Sequence, residues 1–503
     1  MIKKIMSLMM FMAALSFTSC INDEDVIDNN PEGVVETGKG NVEINLLVPN
    51  QTNGTRVSAE TSDVTELGTE DEYRILNAKI YLFNAKSGNF YKCIEPQVQE
   101  IGSPEVVGQN VSYKKISYRL KAGAYKVFVV ANADYTLAPA TIDELLSYVD
   151  KNTYNKTNIN INRNNGVLMT NRGASAPEIT IYEDKTTEVS IMLERVLAKI
   201  AIMKTQTSWE LKDEKGSTYA TITPSNYNIV NLSKEFYLFR HVAVLPMAAD
   251  TPNVPDWRMP ENFGTIPDAN GYAIDPYFFE KTVAGAATFD GSRIFNNPLA
   301  KSADSDFSYP GTFNTAGIYA TVYCTGNTNF CPAQLQTYTT GVQVAANMTI
   351  PTSHCFNADG SNIDMESTSA PSELYYFNYN FYRNLEAVNI VGKATIPVDP
   401  NISDADLWKD YQIKRFETHQ GSFKCFYNTW IKHLDNANPT KLGVMEYAIV
   451  RNNIYKMNIN DVVGLGDGTP NVDPTPVEHD GYLDVDFGVM PWIVRSQDTP
   501  LGE

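Results

Sequence analysis

Two segments near opposite ends of the chain alternate apolar and polar residues with a period of two. That is the pattern of a β-strand with one face buried and one in water. In Asn41–Pro49, Val42, Ile44, Leu46 and Val48 share one face. In Tyr482–Val494, Leu483, Val485, Phe487, Val489 and Ile493 share one face, and Asp484, Asp486 and Gly488 fall on the other. No helical period fits either segment, so whatever lies between them must offer sheets for them to join. Pro491 has no N–H to give to a ladder, so the second strand is interrupted there or lies at an edge.

The intervening chain reads the same way. Its 28 tyrosines and many Thr, Val and Asn residues favour strands and turns. Strands are expected at Ala78–Phe83, ending at Asn84 and a Ser87-Gly88 turn, and at Ala124–Asn132, entered through Gly123. Ile179–Ile181 and Val189–Leu193 are expected to pair around an acidic turn. Ala140–Val149 is the best short helix, with Thr141 as N-cap and Asp143 and Glu144 in its first turn. Residues 189–202 are too long for one strand and read as two, the last of a first domain (57–196) running into the first of a second (197–480). The second domain carries long Pro- and Asn-rich insertions between Ala248 and Tyr309. Strands resume near 317–323, 387–396, 421–431 and 447–459, and a turn-rich loop, 464–480, leads to the terminal segment 481–503. The fold class is mainly β.

A chain of 503 residues with a formal charge of −19 and no arginine-rich cluster repels phosphate backbones, which argues against nucleic-acid partners. Residues 1–19 form a targeting segment: Lys3 and Lys4, then an apolar run from Ile5 to Phe17 too short to span a bilayer. Phe17-Thr18-Ser19-Cys20 resembles the lipobox of bacterial lipoproteins, although leucine is more usual where Phe17 stands. Cys20 is then the lipidation site, and acyl chains contribute about 0.8 kcal/mol per buried CH₂. The alternative is plain secretion with a free cysteine. Acidic residues Asp23, Glu24 and Asp25 open a flexible tether, 20–40, and resemble the surface-export signal of Bacteroidota lipoproteins. Five further cysteines, Cys93, Cys324, Cys331, Cys355 and Cys425, are an odd number and give no complete disulfide framework; Cys324 and Cys331 are spaced to bridge a loop.

The first strand is tied to the rest of the chain by a polar loop containing Arg56, so 41–56 forms a strand-plus-loop unit. Read plainly, both end strands are ordinary members of their sheets. Read more sharply, they compete for one groove: a protease acting at Arg56 removes the first strand, and a neighbour's terminal strand replaces it. Four such buried side chains contribute roughly 6–12 kcal/mol gross, comparable to the whole stability of a domain, about 5–15 kcal/mol. An empty groove is therefore untenable, and removal must be coupled to replacement.

Residues 421–433 (Gly-Ser-Phe-Lys-Cys-Phe-Tyr-Asn-Thr-Trp-Ile-Lys-His) and 443–456 resemble stretches of the Mfa-type fimbrilins of Bacteroidales. The most specific signal is Met445-Glu446-Tyr447 leading into Val450-Arg451-Asn452-Asn453-Ile454-Tyr455. Residues 123–132 and 195–200 resemble that family's first-domain strands. The resemblance implies a type V pilus stalk subunit built from two transthyretin-like antiparallel β-sandwiches. It implies a lipoprotein precursor acylated at Cys20, cut after Arg56, and polymerised by its C-terminal donor strand. Arg74 is the second choice for the cut because it abuts the next strand. The implied partners are identical subunits, accessory tip and anchor subunits, an arginine-specific surface protease, and a host or bacterial receptor. The precursor is held at the outer membrane, and the product is a cell-surface fimbria.

Little else in the sequence suggests chemistry, and no cofactor, metal or catalytic residue is expected. His241, His354, His419, His433 and His479 lack ligand spacing, and no G-x-S-x-G elbow is present. Asn357–Glu366 is rich in oxygen ligands but lacks the length of a calcium-binding EF-hand. Gly464–Thr469 is glycine-rich without a P-loop lysine. The aromatic run Tyr375–Tyr382, read as a strand, offers an alternative function, a surface lipoprotein that binds glycans; core packing is the commoner fate of such residues. A glycosidase-type carboxylate pair is a third class, but nothing singles one out.

Overall fold

The computed structural model describes residues 38–49, 70–107, 110–150, 166–172, 176–244, 271–277, 294–295, 311–329, 334–367, 369–399, 401–419, 422–433, 442, 445–470 and 483–491. Strands dominate. The first part of the chain contributes β1 (Lys39–Pro49), β2 (Ala78–Asn84), β3 (Phe90–Ile94), β4 (Glu105–Val107), β5 (Asn110–Ser112), β6 (Ile116–Lys121), β7 (Gly123–Ala131), β8 (Val149–Asp150), β9 (Met169–Asn171), β10 (Glu178–Ile181) and β11 (Thr187–Arg195). Short helices α1 (Glu70–Tyr73), α2 (Val98–Ile101) and α3 (Ile142–Leu146) punctuate them. Except for β8, these strands form one sheet of order β3-β2-β7-β9-β11-β1-β5-β4, with β10 on β7 and β6 on β1. Its inner faces, from Val42 through Ile80, Val127 and Leu193, close on a single apolar cluster, so the sheet folds over itself as a sandwich.

The second part begins after two intervening residues, Val196 and Leu197. It comprises β12 (Ala198–Lys204), β13 (Trp209–Lys212), β14 (Thr218–Val230), β15 (Leu232–Ser233), β16 (Phe236–Tyr237), β17 (His241–Val244), β18 (Gly271–Ile274), β19 (Ile294–Phe295), β20 (Gly311–Thr312), β21 (Ala320–Cys324), β22 (Gly341–Thr349), β23 (Cys355–Phe356), β24 (Glu373–Phe377), β25 (Asn380–Tyr382), β26 (Lys414–His419), β27 (Ser422–Trp430), β28 (Asn453–Val462) and β29 (Leu483–Pro491). A four-stranded sheet, β21-β12-β28-β29, faces a nine-stranded one, β13-β14-β22-β27-β26-β24-β25-β23 with β20 on β14. Ile200, Ile202, Tyr455 and Met457 from the first meet Ile222, Val344 and Phe416 from the second in one core. Pairing is mostly antiparallel, but β1–β11, β12–β28 and β23–β25 are parallel. The long segments separating the members of the first two pairs supply the crossovers that parallel strands require.

Several local expectations change. The α3 helix does begin at Thr141, whose side chain accepts from Glu144 N–H, but it stops at Leu146. Val149 and Asp150 turn instead into a ladder with β16, and Leu238 and Phe239 just beyond pack beneath Phe128. Residues 179–181 and 187–195 are not a hairpin: β10 pairs with β7, and β11 pairs with β9 and β1. The expected strand at 387–396 does not form: its first residues, to Ile390, are helical and the rest is irregular. Asn384 caps α4 (Leu385–Ile390) by accepting from Ala387 N–H, with Glu386 in the first turn. A second helix, α5 (Asp404–Tyr411), capped by Ser403, follows it. The aromatic run 375–382 is a hairpin, not one strand, and turns through Asn378 and Tyr379 at φ 48° and 64°.

Candidate functional site

The strand β1 lies inside its sheet, flanked by a strand on each side. On one side it runs parallel to β11, Val42 opposite Thr187 through Leu47 opposite Met192. On the other it runs antiparallel to β6 and then β5, Glu43 opposite Ser117 and Leu47 opposite Ser112. Val42, Ile44, Leu46 and Val48 are all 0% exposed. The outer face is polar and also engaged. Lys115 Nζ stands 3.4 Å from Glu43 and 2.6 Å from Glu188, and Ser112 Oγ donates to Asn45 Oδ1 at 3.2 Å. The hydrogen bond to Glu188 is the main cause that raises Lys115 above the usual ammonium range.

One end of this slot is sterically closed. Gly40 is buried, and a Cβ there would lie 1.9 Å from the Tyr182 carbonyl oxygen and 2.7 Å from its carbon. Backbone at that distance cannot step aside as a flexible side chain does, so only glycine fits.

Of the two arginines singled out for cleavage, Arg56 lies outside the described residues, as do Cys20 and Ile493. The peptide following Arg74 is held on every side. Arg74 N–H donates to Glu70 O, Asn132 Nδ2 donates to Arg74 O at 2.8 Å, Ile75 N–H donates to Tyr113 Oη, and Leu76 N–H donates to Asn132 Oδ1. Ile75 itself is buried. A protease needs several residues of extended, unbonded backbone, which this stretch does not offer.

The same segment anchors the first sandwich to the second. Glu72, 1% exposed, meets Lys199 Nζ of β12 at 3.0 Å and accepts a short hydrogen bond from Tyr323 of β21. Arg195, fully buried at the end of β11, donates Nε–H to Glu72 O and Nη1–H to Asn452 Oδ1. Burial pushes Arg195 down to about 10, and Glu72 opposes that shift. Glu194 and Arg240, also buried, form a second ion pair alongside. No local pattern marks these roles; Glu70-Asp71-Glu72 looks like a solvated acidic run.

The C-terminal strand β29 has the opposite placement. It pairs antiparallel with β28, Asn453 opposite Pro491 through Val462 opposite Leu483, and ends the sheet order. Pro491 thus lies at an edge, as its missing N–H requires. Beneath β29, Tyr455 of β28 holds His433 Nδ1 at 2.8 Å and accepts from Val450 N–H. Burial is the main cause holding the His433 imidazole down at about 4, reinforced by Arg240.

Residues considered for chemistry have structural employment. His241 Nε2 is 2.6 Å from Leu146 O, and His354 Nδ1 is 3.0 Å from Tyr379 O. His419 lies in β26, and His479 is outside the described residues. Asp359 accepts from Ser361 N–H and Oγ–H in an exposed turn. Among the described residues no group of three or more His, Cys, Asp or Glu is placed to hold a metal. Cys324, Cys355 and Cys425 are buried thiols whose burial raises them, Cys425 to about 11, which leaves them unreactive; Cys331 is outside the described residues. Tyr375, Phe381 and Tyr382 are buried, and Tyr376 and Tyr379 pack on Tyr219 with ring centroids 5.8 and 5.4 Å away. The aromatic hairpin thus packs mostly into the core, with Tyr376, Phe377 and Tyr379 partly buried.

Two protein-family models match the chain: "Major fimbrial subunit protein (FimA)" over residues 41–217, and "Major fimbrial subunit protein type IV, Fimbrillin, C-terminal" over residues 420–498. Among solved structures, a putative cell adhesion protein from Parabacteroides distasonis is 11% identical, with 90% of this chain and 100% of that one covered and a TM-score of 0.45. A fimbrilin from Porphyromonas gingivalis is 16% identical (91% and 99% covered, TM-score 0.42). The tip fimbrial protein Mfa3 of the same organism, with a C-terminal truncation, is 9% identical (90% and 100%, TM-score 0.35). No curated protein sequence matches.

Proposed function

Because the chain belongs to the Mfa-type fimbrilins, structural subunits of cell-surface fimbriae, we propose that it is a stalk subunit whose first strand is a removable placeholder. The precursor is a lipoprotein acylated at Cys20 and carried to the outer surface. An arginine-specific protease cuts after Arg56, residues 41–56 leave with everything before them, and the terminal segment of a neighbouring subunit fills the slot. The two sandwiches, 57–196 and 197–480, are the repeating body of the fibre, and residues 481–503 carry the donor. The fibre supports adhesion, with accessory tip and anchor subunits at its ends. Nothing in this role calls for catalysis by the chain itself.

The observation that carries this reading is the placement of β1. It is an inner strand from the first part of the chain, and a single cut between Pro49 and Glu70 severs its covalent link to everything it packs against. The bonded backbone around Arg74 favours Arg56 as the site of that cut. The test is to treat the precursor with an arginine-specific protease beside Arg56→Ala, Arg74→Ala and a chain lacking residues 481–503. Wild type and Arg74→Ala are expected to give a new N-terminus at Val57 and a ladder of multimers on unboiled gels. Arg56→Ala should remain uncut and monomeric, and the truncated chain should be cut but monomeric. Ladders from the truncated chain would remove the donor from the tail.

A further inference from the structure

We infer that the C-terminal segment enters the vacated slot in the same direction as β1 and in one register, with Gly481 on the site of Gly40. This rests on the proposed exchange and adds what that proposal leaves open, its polarity and alignment. Alternation alone fits four apolar residues into the slot in either direction and in several registers shifted by two. The closed end of the slot decides among them, because the position of Gly40 admits no Cβ.

Laid in the direction of β1 with Leu483 at the site of Val42, the tail brings Val485, Phe487 and Val489 to Ile44, Leu46 and Val48, and glycine 481 to Gly40. Shifted by two, four or six residues in the same direction, it brings Leu483, Val485 or Phe487 against the Tyr182 carbonyl. Reversed, with Val489 at the site of Val42, it brings Pro491 there, and the shorter reversed registers bring Val489, Phe487 or Val485. Of the tail's other glycines, Gly488 has the wrong parity, since placing it at Gly40 turns Asp486 or Met490 toward the core position of Val42, and Gly502 would bring Pro500 there with no apolar run behind it.

The outer face agrees independently. In this register Asp484 takes the place of Glu43, beside Lys115, and Asp486 takes the place of Asn45, which accepts from Ser112 Oγ. Both polar partners of the placeholder are met again by acceptors. Pro491 falls one place beyond Pro49, the last described position of β1.

The test pairs Asp484→Cys with Ser117→Cys in one full-length chain and with Ser112→Cys in another. Each is polymerised after cleavage and oxidised. The inferred direction sets residue 484 opposite Ser117, as Glu43 is now; the reversed one sets it opposite Ser112, as Leu47 is now. Cross-linked multimers that survive boiling without reductant are expected from the Ser117 pair alone. The Ser112 pair cross-linking instead overturns the inference while leaving strand exchange intact. Gly481→Val should abolish the ladder with cleavage unaffected, whereas Gly488→Ala should polymerise as wild type. A ladder from Gly481→Val that is lost in Phe487→Asp overturns the register and keeps the donor. A ladder unaffected by Gly481→Val, Phe487→Asp and removal of 481–503 overturns the exchange itself.

Discussion

The strands at the two ends of the folded chain share a pattern and differ in position. β1 is enclosed by β11 on one side and β5 and β6 on the other, with four side chains at 0% exposure. Among the described residues β29 borders β28 alone and ends its sheet. An enclosed strand lends its whole apolar face and two ladders to the core; an edge strand lends one ladder and leaves the other open. The first sandwich therefore has an inner strand proposed to be discarded, and the second has at its sheet's end a strand proposed to move. In an ordinary two-domain protein that allocation is unfavourable. In a subunit that must stay folded until assembly and then change partners, it stores the precursor safely and keeps the replacement strand at hand.

The comparison breaks first at Leu46. Leu46→Ala leaves a cavity in the centre of the slot and should destabilise the uncut precursor by about 2–5 kcal/mol, read by denaturant melts. Fibres assembled from chains already cut should not register it, because β1 is gone; equal destabilisation in the fibre would place β1 there too. Next is Glu72 of α1, which ties that helix to β12 and β21. Glu72→Gln leaves Lys199 buried beside a neutral amide, and a cost of about 3–5 kcal/mol is expected, as for other broken buried pairs. That loss should appear before and after cleavage alike, which separates the clasp from the placeholder.

His433 sharpens the other side of the comparison, because it bonds the strand that holds β29. Its folded value of about 4 lies below its unfolded value of about 6.5. The unfolded chain therefore binds more protons between those limits. Stability is complete above about pH 6.5 and falls by up to about 3 kcal/mol as pH drops toward 4. His433→Phe should flatten that slope in melts taken across the range, and an unchanged slope would assign it to other groups. The smallest effect is at Lys115. Its pairs with Glu43 and Glu188 are exposed, so Lys115→Met should leave the melting temperature unchanged within error.

Much of this arrangement is legible in the residues. Alternation at 42–48 and 483–489, the missing donor of Pro491, and the Gly88 turn at φ 72° all follow from local chemistry that the fold keeps. At α4, Ala387, Val388 and Ile390 look strand-like in isolation; the signal against a strand is the Asn384 cap with Glu386 in the first turn. The cap at Ser403 with Asp406 three residues on was a comparable sign of α5. What no local pattern carries is approach from afar. Gly40 is demanded by the carbonyl of Tyr182, and Glu72 is buried by partners more than a hundred residues away. The pairing of β10 with β7 in place of β11 is likewise settled by the whole sheet.

The central claim is that β1 is absent from the working fibre, and it can be read directly. Fimbriae sheared from the cell surface would be boiled apart and the subunit mapped by mass spectrometry from its N-terminus. A chain beginning at Val57, with no peptide from residues 39–49 in the polymer, is the result expected. A polymer whose subunits still begin at an acylated Cys20 and yield the β1 peptide in full would contradict it.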